Sequence, residues 1–105
     1  MHAQIITYQL QNISQEEYQK QMVVPDAPHL ARLPGLISKV WLVDIEKNTF
    51  GGFYLWESKS AMEDFMRSDI VKAVSQRPYI KDLASVDYEV NIDASKITQI
   101  GRAHV

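Results

Sequence analysis

The chain has 105 residues, 46 % of them hydrophobic and 23 % charged, with eleven basic against thirteen acidic side chains and a formal charge of −2. These proportions describe a single globular domain with a two-layer core and exclude a disordered chain. With no block of like charge, neither nucleic acid nor an anionic membrane is an expected partner. The cysteine count is zero, which excludes disulfides, thiolate metal sites and a cysteine nucleophile and makes a reducing cytoplasm the expected location. The amino terminus has no basic region followed by an apolar stretch, so no signal peptide is expected. No apolar run approaches the roughly 20 residues that span a bilayer.

His2 to Leu10 reads as a strand, with Ile6, Tyr8 and Leu10 on one face and Ile5, Thr7 and Gln9 on the other. Ser14 then opens Ser-x-x-Glu, a capping box, so a helix is expected from about Gln15, presenting Tyr18, Met22 and Val23 to the core. Pro25 and Pro28 each remove a backbone donor and disfavour helical geometry in the residue before. The expectation is a break over Val24–Pro28, a short helical turn from His29 to Leu33, and a stop at Pro34-Gly35.

Leu36 to Ile45 and Gly51 to Trp56 read as two strands joined by the polar turn Glu46–Thr49. Neither alternates cleanly. Leu36, Val40 and Leu42 fall on one face of the first and Ile37, Trp41, Val43 and Ile45 on the other, while Phe53 and Leu55 oppose Tyr54 and Trp56. A hairpin apolar on both sides needs cover on both sides. After Trp56 the period changes. Ser58 and Ser60 are alternative caps, and Ala61, Met62, Phe65, Met66, Ile70 and Val74 recur at helical spacing, with a kink expected near Ser68-Asp69 and an end at Arg77-Pro78. Tyr79 to Leu83 reads as a connection. Ala84, Val86, Tyr88, Val90 and Ile92 then alternate with polar residues as a strand nearer solvent, and residues 93–105 read as a polar tail. One domain, 1–105, follows.

The order strand, helix, strand, strand, helix, strand is the α+β, ferredoxin-like βαββαβ arrangement, an antiparallel sheet with both helices on one face. The other face has no cover within the chain, so a homodimer paired through the sheet face is expected.

Lys39-Val40-Trp41, the polar turn Glu46-Lys47-Asn48, Gly51-Gly52-Phe53-Tyr54-Leu55 and Lys59-Ser60-Ala61 resemble the YdhR-type "putative mono-oxygenase" family of the dimeric α+β barrel superfamily. The likeness is strongest from Gly35 to about Phe65. It implies a ferredoxin-like protomer, a dimer whose sheets form a barrel, and a small-molecule pocket between sheet and helices. The mono-oxygenase label comes with the resemblance and not from any motif in the residues.

Several side chains are candidates for chemistry. Trp41 and Trp56, on adjacent strands, can wall a flat aromatic substrate or simply fill the core. Lys39 shares a face with Trp41. It can bind a phenolate or carboxylate with a lowered pKa, or snorkel to solvent, or pair with Glu57. His29, beside the proline break, is a candidate acid or base, against the plainer reading of a solvated histidine. Tyr8, Tyr18 and Tyr54 are candidate hydroxyl donors, and Met22, Met62 and Phe65 candidate lining, each also explicable as core. His2 and His104 lie near the termini with no catalytic part expected, and Arg32 and Arg67 read as surface charges. The three histidines lack metal-ligand spacing and no phosphate-binding glycine loop or serine elbow occurs, so no metal and no flavin or nicotinamide cofactor is expected. The superfamily that the chain resembles also includes haem-degrading relatives that carry a haem-ligating histidine on the second helix; Ser58 to Pro78 contain no histidine, so haem degradation is the less expected branch.

The leading expectation is a cofactor-independent mono-oxygenase acting on a small electron-rich aromatic of the phenol or hydroquinone type. The alternatives are a non-catalytic ligand-binding dimer, or an isomerase or lyase on the same scaffold with His29 moving the proton.

Overall fold

The computed structural model describes residues 1–103, with side chains as far as Thr98. In chain order the elements are β1 (His2–Leu10), α1 (Gln15–Tyr18), a π turn (Gln19–Val23), α2 (Val24–Leu30), β2 (Leu36–Asp44), β3 (Thr49–Trp56), α3 (Lys59–Met66), α4 (Asp69–Ser75), β4 (Ile80–Glu89) and α5 (Ile92–Ala103). The strands form one antiparallel sheet in the order β2-β3-β1-β4. With α1 to α4 against one face this is the expected ferredoxin-like α+β fold.

Strand alternation sets the two faces. In β1, His2, Gln4, Ile6, Tyr8 and Leu10 are buried on the helix side. Opposite them in β3 stand Trp56, Tyr54, Gly52 and Phe50. Tyr54 stacks on Trp56 with parallel rings 5.9 Å apart, and Phe65 of α3 tilts against both. Gln4, fully buried, is satisfied at both ends. Its Oε1 accepts from Trp56 Nε1 at 3.0 Å, and its Nε2 donates to Ser85 Oγ at 2.9 Å and Met66 Sδ at 3.1 Å. A buried amide so paired avoids the penalty of an orphaned polar group.

The register of β2 departs from the expected faces. A bulge at Ile37 lets Leu36 oppose Trp56 while Ser38 opposes Leu55. One extra residue flips the phase of everything after it. Leu36 therefore shares the helix side with Lys39 and Trp41, while Val40 and Leu42 face the other way. On that open side Val40, Phe53, Ile5 and Val86 lie in register across all four strands. Val40 and Val86 are about half exposed, at 55 % and 48 %. β4 begins at Ile80, inside the expected connection, because a bulge around Asp82, which has a positive φ of 55°, carries the pairing on to Lys81 and Ile80. Its apolar residues Ala84, Val86 and Tyr88 also point to the open side. Val90 and Ile92 lie beyond the strand.

The helices differ from expectation in two places. The chain does not break at the prolines. Helical geometry runs from Gln15 through Leu30, and the capped start at Ser14, which accepts from Glu17 N–H at 3.1 Å, is as expected. Just before Pro25 the helix widens into the π turn, where Val24 N–H reaches the Gln19 carbonyl. Pro25 then falls directly after this turn, in the first residues of α2, and its missing donor leaves a carbonyl of the preceding turn without a partner. Both prolines are exposed, and so are Gln21 and Val24, so their unmatched carbonyls lie on the solvent side. Residues 93–103 of the expected tail are part of a helix, α5, begun by Asn91 Oδ1 accepting from Ala94 N–H. Its Ile97 is 75 % exposed. After β3, Ser58 is the cap that is used, and the kink near Ser68 is a full break, with Ser68 capping α4.

Candidate functional site

A small apolar cavity lies between the helix side of the sheet and α2, α3 and α4. Its floor is Ile6 and Tyr8 of β1, Lys39 and Trp41 of β2, and Tyr54 of β3. Its roof is Met22 of the π turn, Asp26 and Leu30 of α2, Phe65 of α3, and the α4 side chains Ile70, Val71 and Val74. The enclosed room is about 40 Å³, enough for water but not for an aromatic ring. Beyond Lys39, Trp41 and Leu30, which also face it, an open groove of about 250 Å³ runs between β2 and α2. Lys39 and Trp41 are thus part of the wall between cavity and groove.

Lys39 is held in an aromatic slot. Its Nζ sits 3.3 Å from the centre of the Trp41 ring and 4.7 Å from that of Tyr54. The slot exists because residue 52, opposite Trp41, is glycine; a Cβ there would stand 2.6 Å from Lys39 Cε. Burial lowers the Lys39 pKa to about 7, and the negative charge of Asp26 opposes that shift. The ring faces favour the ammonium form. The pairing with Glu57 is not made, and among the described residues no carboxylate lies within ion-pair distance of Lys39.

Asp26 is anchored from the far side. Arg77, just after α4, donates from Nη1 to Asp26 Oδ2 at 2.9 Å and from Nη2 to Oδ1 at 3.3 Å. That hydrogen bond raises the Arg77 pKa against the effect of its burial. Both side chains are mostly buried, so the bidentate pair fixes α2 against the end of α4. Asp26 does not stand out in the sequence, because the two prolines beside it argue for a break. A proline at the first helical position followed by an acidic residue is also a helix-start pattern, and read that way it puts Asp26 and Leu30 on one face.

Tyr8 and Tyr18 share a buried hydrogen bond between hydroxyls, 2.6 Å apart. Burial pushes the pKa of Tyr8, Tyr18 and Tyr54 above the ordinary tyrosine value, so all three keep their protons at neutral pH. Tyr8 and Tyr54 face the cavity, while Tyr18 faces a separate outer groove beside Trp41 and Phe50.

Of the residues singled out from the sequence, Lys39, Trp41, Tyr8, Tyr54, Met22 and Phe65 come together around one cavity. Trp56 and Met62 do not line it; both are buried in the core. Trp41 and Trp56 are not neighbours, since Trp41 pairs with Gly52 and Trp56 with Leu36. His29 is exposed on α2, outside the cavity lining. His2 is buried at the start of the central strand β1 and bonded to Asp87 at 2.6 Å. His104 lies outside the described residues. Among the described residues no group of three histidine or carboxylate side chains is placed to hold a metal ion. No described helix is long and apolar enough to cross a membrane.

Solved structures with this fold include an "antibiotic biosynthesis monooxygenase", qualified as putative, from Deinococcus radiodurans. It is 18 % identical, with a TM-score of 0.67 over 87 % of this chain and 93 % of that one. SnoaB, a cofactor-independent oxygenase from Streptomyces nogalater, is 14 % identical over 86 % of this chain and 93 % of its own, with a TM-score of 0.66. The haem degrader MhuD from Mycobacterium tuberculosis, with two haems in its active site, is 16 % identical over 87 % and 96 %, with a TM-score of 0.68. At such identities the likeness establishes the fold and no activity. None of the curated proteins matches the chain. The family model described as "Putative mono-oxygenase ydhR" matches residues 4–101, nearly the whole length, and this chain belongs to that family.

Proposed function

We propose that the protein is a cofactor-independent mono-oxygenase for a small, electron-rich phenol or hydroquinone, working as a homodimer. The observation that carries this reading is Lys39: an amine with a pKa of about 7, between two aromatic faces, at the wall of an apolar cavity. Such an amine, about three pK units less basic than a phenolate, acts on a phenol as a general base and holds a minor, reactive population of phenolate beside its ammonium form. The electron-rich anion then passes an electron to dioxygen. For a phenol bearing hydrogen at the reacting carbon, one oxygen atom enters the ring and the other leaves as water with two substrate hydrogens, giving a quinone. The substrate supplies both electrons for that water, so no external reductant is needed.

The protein's part is orientation, exclusion of water and charge stabilisation. Trp41 offers a stacking face, and the protonated hydroxyls of Tyr8 and Tyr54 can donate to developing negative charge. The cavity of about 40 Å³ is too tight for a ring, so the substrate enters from the groove and displaces the Lys39 chain from the Trp41 face as it binds. The apolar row Val40–Phe53–Ile5–Val86 supports pairing of two sheets face to face.

Oxygen uptake measured with a panel of phenols and hydroquinones tests this. The native chain should exceed Lys39→Ala and Trp41→Ala by about 10²-fold, the scale of a lost acid–base group. Equal rates in all three defeat the proposal. Saturable binding of the same aromatics without oxygen uptake would instead identify a ligand-binding protein.

A further inference from the structure

Lys39 differs from every other lysine in the chain. Lys20, Lys47, Lys59, Lys72, Lys81 and Lys96 are all exposed, whereas Lys39 is half-buried in the wall between the cavity and the β2–α2 groove. No carboxylate among the described residues pairs with it, and its amine rests 3.3 Å above an indole. The groove it reaches is lined by Ala27, Ala31, Leu36, Ile37 and Ser38, a wall part apolar and part polar that suits a small ring bearing one polar carbonyl group.

We propose that Lys39 is a carbonyl-capturing amine, forming a reversible imine with small aromatic aldehydes that enter the β2–α2 groove and lie against Trp41. The Nζ lone pair attacks the carbonyl carbon while the carbonyl π pair moves to oxygen, which takes up the proton that nitrogen releases. The carbinolamine then expels its hydroxyl as water as nitrogen closes the C=N bond. One aldehyde and one amine give one imine and one water, with no oxidant or reductant. Once protonated, the imine again places a cation over the Trp41 face, where ring and charge attract. The low pKa supports the geometry, because near pH 7 a substantial share of Lys39 is the free amine. For a lysine of ordinary pKa that share is roughly one in 10³. This chemistry needs no oxygen, so its success or failure is separate from that of the oxygenase reading.

The test treats the full chain at pH 7, under anaerobic conditions, with benzaldehyde and cyanoborohydride, which reduces the imine to a stable secondary amine. Peptide mapping then locates the added benzyl groups. Lys39 should be benzylated at least about tenfold faster than any exposed lysine, a conservative fraction of the difference in free amine, with a pH profile centred near 7. The Lys39→Arg variant, checked for an unchanged melting curve, should lose that adduct. Trp41→Leu should lower the preference for benzaldehyde over acetaldehyde at Lys39. Benzylation of Lys39 no faster than of Lys20 or Lys72 would overturn the assignment. So would an adduct count unchanged in Lys39→Arg.

Discussion

The lysine over the indole has a consequence for stability that is separate from any activity. Folding lowers its pKa from the ordinary 10.5 to about 7. Between those values the unfolded chain holds a proton that the folded chain has released, so stability rises with pH across that window. Above about pH 10 the buried tyrosines act in the opposite sense. Their pKa is raised on folding, and stability falls as the unfolded chain ionises them. Melting temperature against pH should therefore climb from neutrality towards pH 10 and then fall. Lys39→Met should remove the climb and keep the fall. The adjacent glycines give a second test. At Gly51, with φ of +147°, a Cβ would stand 1.9 Å from the Ile6 carbonyl oxygen, which is backbone and cannot yield. At Gly52 the nearest obstacle is Lys39 Cε at 2.6 Å, near the end of a flexible chain, and the next is the Tyr54 ring at 3.2 Å. Gly51→Ala should cost about 3 kcal/mol or more, and Gly52→Ala a smaller amount of about 1–2 kcal/mol, by denaturant titration. The milder change should still move the Lys39 titration back towards its ordinary range. From the sequence, Lys39 and Trp41 were legible as same-face neighbours two residues apart. The slot between Trp41 and Tyr54 was not, because it depends on which residue of β3 stands opposite, and a bulge sets that register.

Between Ser14 and Leu30 the chain makes one continuous helical run whose π turn sits directly before a proline. A π turn adds a residue to the helical repeat and is common where a helix carries function. Removing Lys20, an exposed residue of this turn, should restore a plain α-helix while rotating the rest by about 100°. Asp26 would then leave both the cavity and Arg77. Circular dichroism should report unchanged helix, and the ion pair's contribution should vanish from a double-mutant cycle with Arg77→Ala. The sequence made the start of this helix plain through its cap, as it did the order of the strands through their period. It concealed the continuation, because two prolines are a strong local argument for a break and only their solvent-facing positions relax it. The segment after Glu89 was obscure for another reason: α5 leaves Ile97 exposed and so lacks the apolar stripe by which a helix is recognised.

At the scale of the molecule, the helices settle only half of what the sheet needs. Val40, Phe53, Ile5 and Val86 form a transverse row, flanked by Leu55 and Tyr88, whose outer members Val40 and Val86 are about half exposed among the described residues. Val40→Lys with Val86→Lys should convert the proposed dimer to monomer by analytical ultracentrifugation, since like charges would then meet across an apolar contact. The four-strand register of that row was not readable in advance, although the two-sided hairpin announced that an uncovered surface would exist. In the proposed dimer, where the sheet is finished by a second copy of itself, folding and association become a single equilibrium. Its thermal midpoint should then drift upward as the protein is concentrated and downward on dilution, by the mass action of the chain upon itself.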